Sequence, residues 1–168
     1  MKRLATVAVV ITALLLPGGA FARTKRKVET SPVTIALKSE TCPNLPPGTT
    51  INGTGTMTSI TWTTKRHGRS TVTNSSLAPG TATDQAGNQY TFLYSNQFQV
   101  SNTRSQRKVY SGPMVDVFML HGAGPANLSN GFLARYTTDF KALQRFSPID
   151  AFGDPIDFKT GQAHCDPL

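Results

Sequence analysis

Two short basic clusters are the residues of this chain best suited to binding a ligand. They span residues 65–69 and 104–108, each within a predicted turn. Guanidinium and ammonium groups bind phosphate, sulfate and carboxylate anions. If both turns lie at the same end of the fold, their side chains would form one positive rim able to bind such anions. The alternative is that these cations serve solubility and keep neighbouring strand edges from aggregating. The candidate anion-binding residues are Lys65, Arg66, Arg69, Arg104, Arg107 and Lys108.

An aromatic stripe is the second candidate site. Tyr90, Phe92 and Tyr94 alternate along a predicted strand, so their side chains point to one face. Trp62 of an earlier strand is expected to join them, together with Ile60. Either these rings are plain core, or the phenol hydroxyls line a cavity for a small apolar or aromatic ligand. The candidate ligand-binding residues are Trp62, Tyr90, Phe92 and Tyr94.

The sequence contains no recognisable catalytic or metal-binding motif. The H-G-A-G motif at 121–124 looks like the oxyanion loop of lipases, yet no G-x-S-x-G elbow accompanies it. His67, His121 and His164 do not have the spacing of metal ligands. We therefore expect a non-enzymatic protein with no catalytic residues, no metal and no cofactor, and no motif supports the third hypothesis, an enzyme.

Residues 1–22 are a predicted secretory signal peptide. Lys2 and Arg3 precede an apolar run over 4–16, and an A-x-A cleavage site follows at 20–22. The run is too short for an ordinary transmembrane helix, so we expect no transmembrane anchor. The predicted location is extracellular, or periplasmic in a Gram-negative host. Cleavage would leave 146 of the 168 residues and lower the net charge from +8 to +6.

The elements that position the candidate residues are predicted to be β-strands. Thr, Val, Ile, Phe and Tyr are frequent, and Gly, Asn and Pro separate the runs. About seven or eight antiparallel strands with short connections favour an all-β barrel, with a two-layer sandwich as the alternative. We predict a flexible basic leader at 23–32, followed by a single β domain at 33–168.

Two details of the strand pattern decide where the candidates lie. In the strand at 50–64, Ile51 and Met57 have one parity whereas Ile60 and Trp62 have the other, which predicts a β-bulge near residues 58–59. Residues 70–84 are predicted to form one long strand despite Pro79-Gly80. The two basic turns then lie at the same end of the fold, whereas a full reversal at Pro79 would separate them.

Two functional hypotheses follow from these patterns. The first is an exported, non-enzymatic β-barrel that binds a small apolar or aromatic ligand or plays a structural role. The second is an envelope-associated module that binds anionic polymers through its basic turns. A cavity behind Tyr90 and Tyr94 would favour the first, and convergence of the two basic clusters would favour the second.

We predict that Cys42 and Cys165 form a disulfide that ties the start of the β domain to its end. The chain-entropy model assigns roughly 5 kcal/mol of stabilisation to the closure of so long a loop. A maleimide reagent should therefore modify neither cysteine in the denatured, unreduced mature protein. Modification of both cysteines would contradict the predicted bond.

Overall fold

A computed structural model describes residues 23–42 and 44–153. Within these residues the chain forms seven antiparallel strands and no helix, which confirms the all-β prediction; nothing described is a helix able to span a membrane. One sheet contains the strands in sequence order, and it is not closed into a barrel. The predicted signal peptide, His164 and Cys165 lie outside the described residues. The strands are β1 (Arg23–Lys38), β2 (Thr50–Arg66), β3 (Arg69–Asp84), β4 (Gln89–Asn102), β5 (Tyr110–Gly122), β6 (Leu128–Thr138) and β7 (Leu143–Phe152).

One face of the sheet, called the inner face here, carries most of the buried side chains. Along β1, β3 and β4 the buried residues alternate with more exposed ones, as the period of two in a β-strand requires. Cys42 and Leu45 of the connection between β1 and β2 pack into the same core. The larger apolar cluster contains Val33, Ile35, Leu37, Cys42, Leu45, Ile51, Ala78, Ala82, Tyr90, Phe92, Phe118, Leu120, Ala126 and Leu128.

The middle of the inner face is polar. Ser59 and Ser76 share a hydrogen bond of 2.6 Å, and the Asn74 amide donates to the Thr61 hydroxyl at 2.9 Å. Beyond this polar belt, a second and smaller apolar cluster follows. It contains Val72, Val100 and Tyr136, with Phe98, Tyr110, Met114 and Phe146 packed against it. The polar belt therefore divides the inner face into two apolar regions.

The predicted β-bulge at residues 58–59 is wrong. Pairing of β2 with β3 keeps one register from Ile51↔Asp84 to Arg66↔Arg69, so the alternation is unbroken. Trp62 consequently lies on the outer face, paired with Arg26 of β1, and it does not join the aromatic stripe. The parity of apolar residues was misleading because the inner face of β2 becomes polar at the belt, while half-buried apolar residues continue on its outer face.

The predicted flexible leader at 23–32 is instead the first part of β1. Its residues pair with β2 in continuous register, from Arg23↔Lys65 to Pro32↔Thr56. All of them are exposed, and β1 is an edge strand of the sheet. Pro32 and a high density of charge are both typical of edge strands, because neither favours pairing with a further strand.

The predicted single strand at 70–84 is confirmed, since β3 runs without reversal from Arg69 to Asp84. The hairpin that joins β2 to β3 has a two-residue turn, in which His67 and Gly68 both have positive φ. Positive φ at both central residues is the signature of a type I′ turn, which suits the twist of the flanking strands. The connections after β2 and β4 therefore lie at one end of the sheet, and the turn at 85–88 lies at the other.

We expect Gly80→Ala to destabilise the fold by about 1–3 kcal/mol because a Cβ there would overlap the ring of Phe92. Adding Phe92→Leu should relieve part of that loss, so the two changes should be non-additive. Urea unfolding of both single variants and the double variant measures this coupling. The exposed Thr81→Ala is the control, and additive losses would show that the ring does not need the glycine.

Candidate functional site

The aromatic stripe lies on one face, as predicted, but Tyr90 and Phe92 are core residues, with exposed fractions of 2% and 4%. Phe92 packs against Phe118, with ring centroids 6.3 Å apart. The Tyr90 hydroxyl donates to Asp84 Oδ2 at 2.9 Å. Burial raises the pKa of Tyr90, and this hydrogen bond raises it further by a smaller amount. The Tyr90 hydroxyl thus stabilises the end of β3 through its hydrogen bond to Asp84, which argues against a ligand-binding role.

Close packing against β4 explains the two glycines of the H-G-A-G motif at 121–124. A Cβ at Gly124 would overlap the Tyr90 hydroxyl, and a Cβ at Gly122 would overlap the carbonyl oxygen of Gln89. Both glycines therefore allow a close approach of chain to chain. The motif serves packing at the end of the sheet, and nothing in this contact resembles an oxyanion site.

Tyr94 is half-buried at the border of the polar belt. Its hydroxyl donates to Asp116 Oδ2 at 2.7 Å, and the Asn96 side-chain amide donates to the same oxygen at 2.9 Å. Neither Asp116 nor Asn96 was predicted from the sequence as a partner of Tyr94. The sequence does indicate that Asn96 lies on the same face as Tyr94, because residues two apart in a strand share a face.

The two basic clusters meet at one end of the sheet, as predicted. The Arg104 guanidinium donates through Nε to the carbonyl oxygen of His67 at 2.9 Å, which joins the connection after β4 to the hairpin after β2. We call this surface the basic rim. It consists of Lys65, Arg66, Arg69, Arg104, Arg107 and Lys108.

Asn102 is a buried residue that fixes the two parts of the basic rim against each other. Its side-chain oxygen accepts from the backbone N–H of Ser70 at 2.7 Å, and its side-chain amide donates to the carbonyl oxygen of Arg107 at 2.7 Å. Its own carbonyl oxygen accepts from Nε of Arg69 at 3.4 Å. This role of Asn102 was not predicted from the sequence, although an Asn at the end of a strand is a common partner of backbone groups.

An open cavity of about 330 Å³ lies within the basic rim. Its lining includes two buried polar residues, Ser70 and Asn102, and three cations. A second open cavity, of about 380 Å³, lies near Gly53 and has no charged side chain in its lining. Neither cavity is lined by Tyr90 or Tyr94. The lining of the rim cavity is Lys65, Gly68, Arg69, Ser70, Asn102, Arg107 and Tyr110.

Positive charge is concentrated at the rim end of the described structure. Lys141 lies in the connection between β6 and β7 and Arg145 near the start of β7, and this connection reaches the same end through the pair Tyr110↔Thr138. Asp139 is an acidic residue of that connection. Hydrogen bonds from the backbone N–H groups of Lys141 and Ala142 hold its pKa below the usual range. The surplus of cations creates a local field that attracts anions.

Metal ligation receives no support from the described residues, 23–42 and 44–153. No group of three His, Cys, Asp or Glu side chains in them is arranged to hold an ion. His67 lies at the rim, whereas His121 lies at the far end of β5. The groups that are brought together are therefore cations and hydrogen-bonding amides and hydroxyls.

Asp84 should make the stability of the fold depend on pH. Hydrogen bonds from Asn88 above all, and from Tyr90 and Ala86, lower the pKa of its carboxyl in the folded state. A lowered pKa stabilises the fold above the unfolded value of about 4, and this stabilisation disappears as pH falls through the folded pKa. The difference in unfolding free energy between wild type and Asp84→Asn should therefore narrow below about pH 4.

Urea unfolding between pH 7 and pH 3 measures this effect. Tyr90→Phe is the matched control, because it removes one donor to Asp84 and keeps both the carboxyl group and the ring. It should retain most of the pH dependence of the wild type. Parallel pH profiles for wild type and Asp84→Asn would contradict the role assigned to this carboxylate.

Comparison with known proteins gives this chain no relative from which a function could be transferred. No family model, no curated protein and no solved structure matches it. The function must therefore be inferred from the charges, contacts and burial of the described residues.

Proposed function

We propose that the chain is an exported, non-enzymatic module that binds anionic polymers of the cell envelope through the basic rim. The observation that carries this proposal is the convergence of the two basic clusters, which are 37 residues apart in sequence at the hydrogen bond between Arg104 and His67. Predicted export would bring the rim into contact with such polymers. Permanently charged guanidinium groups bind anions without a nucleophile or a general base nearby.

The state of the rim cations supports a binding role. Among the described residues, Lys27 forms an ion pair with Glu29, whereas none of the six rim cations forms an ion pair with a carboxylate. Arg69 and Arg104 are oriented by hydrogen bonds to backbone carbonyl oxygens. Prior orientation lowers the entropy that binding an anion would cost.

The exposure of the rim favours a polymer over a single small anion. An exposed ion pair contributes about 0–1 kcal/mol, because water and salt screen it. Several such contacts must act together to give useful affinity, and a polymer provides them as one linked ligand. We therefore propose a polyanion with phosphate, sulfate or carboxylate groups as the ligand class.

A small apolar ligand has less support than a polyanion. That hypothesis required Tyr90 and Tyr94 to face a cavity, but the Tyr90 hydroxyl is hydrogen-bonded to Asp84 and the Tyr94 hydroxyl to Asp116.

For the architecture, we propose that the sheet curls as an open barrel around the inner face. Burial of inner-face residues on β1 to β6, such as Ile35 and Leu128, supports this over a flat sheet.

Heparin is a suitable first probe of the basic rim. The double variant Lys65→Gln/Arg107→Gln removes two charges at the cavity and leaves the hydrogen-bonded Arg69 and Arg104 in place. We expect about tenfold weaker binding at low salt, as for two lost contacts of about 0.7 kcal/mol each. The slope of log K against log salt should fall by about two.

The control variant is Lys38→Gln/Arg135→Gln, which removes the same number of charges from exposed positions outside the rim. It should retain near-wild-type affinity. Circular dichroism would verify that both double variants are folded. Equal losses in the two variants would indicate unspecific attraction by net charge, and unchanged binding in the rim variant would contradict the proposed function.

A further inference from the structure

We infer that the binding surface continues from the basic rim along the inner face of β1, and that the ligand is therefore a linear, extended polyanion. This inference rests on the proposed function of the rim and specifies its ligand. The residues concerned are Arg23, Lys25 and Lys27, which we call the β1 basic row.

The strand register places the β1 basic row on the inner face. Lys27 pairs with Thr61, whose hydroxyl accepts from the buried Asn74 of the polar belt. Residues directly opposite each other in a sheet share a face, and residues two apart in a strand do as well. Lys27, Lys25 and Arg23 consequently follow one another along the inner side of the edge strand.

The β1 basic row leads directly to the rim cavity. Arg23 pairs with Lys65, and Lys65 lines that cavity together with Arg107. Alternate residues of a strand are about 6.6–6.8 Å apart, so the three cations extend over about 13 Å. A single phosphate or sulfate group cannot contact the cavity and the far end of this row together, whereas a chain of repeated anionic groups can.

The surroundings of the row leave it accessible to a polymer. All three cations are exposed, and β1 pairs with β2 alone among the described strands, so its other edge is open. Lys27 is in contact with Glu29 at 2.6 Å, which partly compensates its charge. Arg23 and Lys25 are therefore expected to contribute more to binding than Lys27.

Arg26 provides an internal comparison for the row. It lies between Lys25 and Lys27 in sequence, is also exposed, and pairs with Trp62 on the outer face. If the charges of this segment serve only to keep the edge strand from pairing with other chains, the face on which a charge lies is irrelevant. If they bind a polymer that leaves the rim along the inner face, Lys25 matters more than Arg26.

The test uses two probes, tripolyphosphate and long-chain polyphosphate, and two variants of the full mature protein, Lys25→Gln and Arg26→Gln. Calorimetric titration in about 0.15 M salt limits long-range effects, because the screening length is then about 8 Å. We expect Lys25→Gln to bind long-chain polyphosphate about two- to fivefold more weakly and tripolyphosphate as the wild type does. Arg26→Gln should bind both probes nearly as the wild type does.

The outcomes separate this inference from the proposed function. Equal weakening of long-chain binding in both variants, or none in either, would overturn the β1 basic row and leave the rim intact. Weaker tripolyphosphate binding in Lys25→Gln would also overturn it, since the row would then belong to the compact site. Failure of the wild-type protein to bind either polyphosphate would overturn the proposed function itself.

Discussion

The unbroken pairing of β3 with both of its neighbours is the constraint on which the candidate site depends. Chain direction reverses before Arg69 and after Asp84 and nowhere between them, so the connections that follow β2 and β4 lie at the same end. Pro79 and Gly80 are accommodated inside the strand, and Gly80 leaves space for the ring of Phe92. A reversal at this point would have exchanged the ends of all later strands and separated the two basic clusters.

Buried polar contacts complete the arrangement at both ends of β3. At one end Asp84 gathers the backbone N–H groups of Ala86 and Asn88 together with the Tyr90 hydroxyl. At the other end Asn102 joins Ser70 to Arg107. A buried polar group that loses its partner destabilises a fold by about 1–3 kcal/mol, so each set of contacts favours one geometry of its turn. For the same reason, the hydroxyl of the buried Tyr90 stabilises the fold through its hydrogen bond to Asp84.

The face of the aromatic stripe, the continuity of β3 and the common end of the basic turns could all be predicted from the sequence. The face of the stripe follows from the period of two. The continuity of β3 follows from the short segment between Gly80 and the turn at 85–88. The common end of the basic turns then follows from that continuity and from local turn residues such as His67-Gly68. The position of Trp62 could not be predicted in the same way. Hydrophobic parity identifies the inner face only while that face is apolar, and on β2 it becomes polar at Ser59 and Thr61.

The first half of β1 escaped prediction for a related reason. Arg23 to Pro32 has a polar, charged composition typical of a flexible segment, and its residues remain exposed in the sheet. Their strand conformation is set by pairing with the long β2, a non-local interaction that local composition does not record. Asn102 was missed because its importance arises only when the two connections meet.

The most direct test of the account is a map of the surface that an anionic polymer touches. Titration of the isotopically labelled mature protein with heparin, followed through backbone amide resonances, gives that map. We predict shifts at residues 65–70, 102–110 and 23–27, with little change at the turn at 85–88 and the loop at 123–127. Shifts centred on the cavity near Gly53 or on Tyr90 and Tyr94, with the basic rim unaffected, would contradict it.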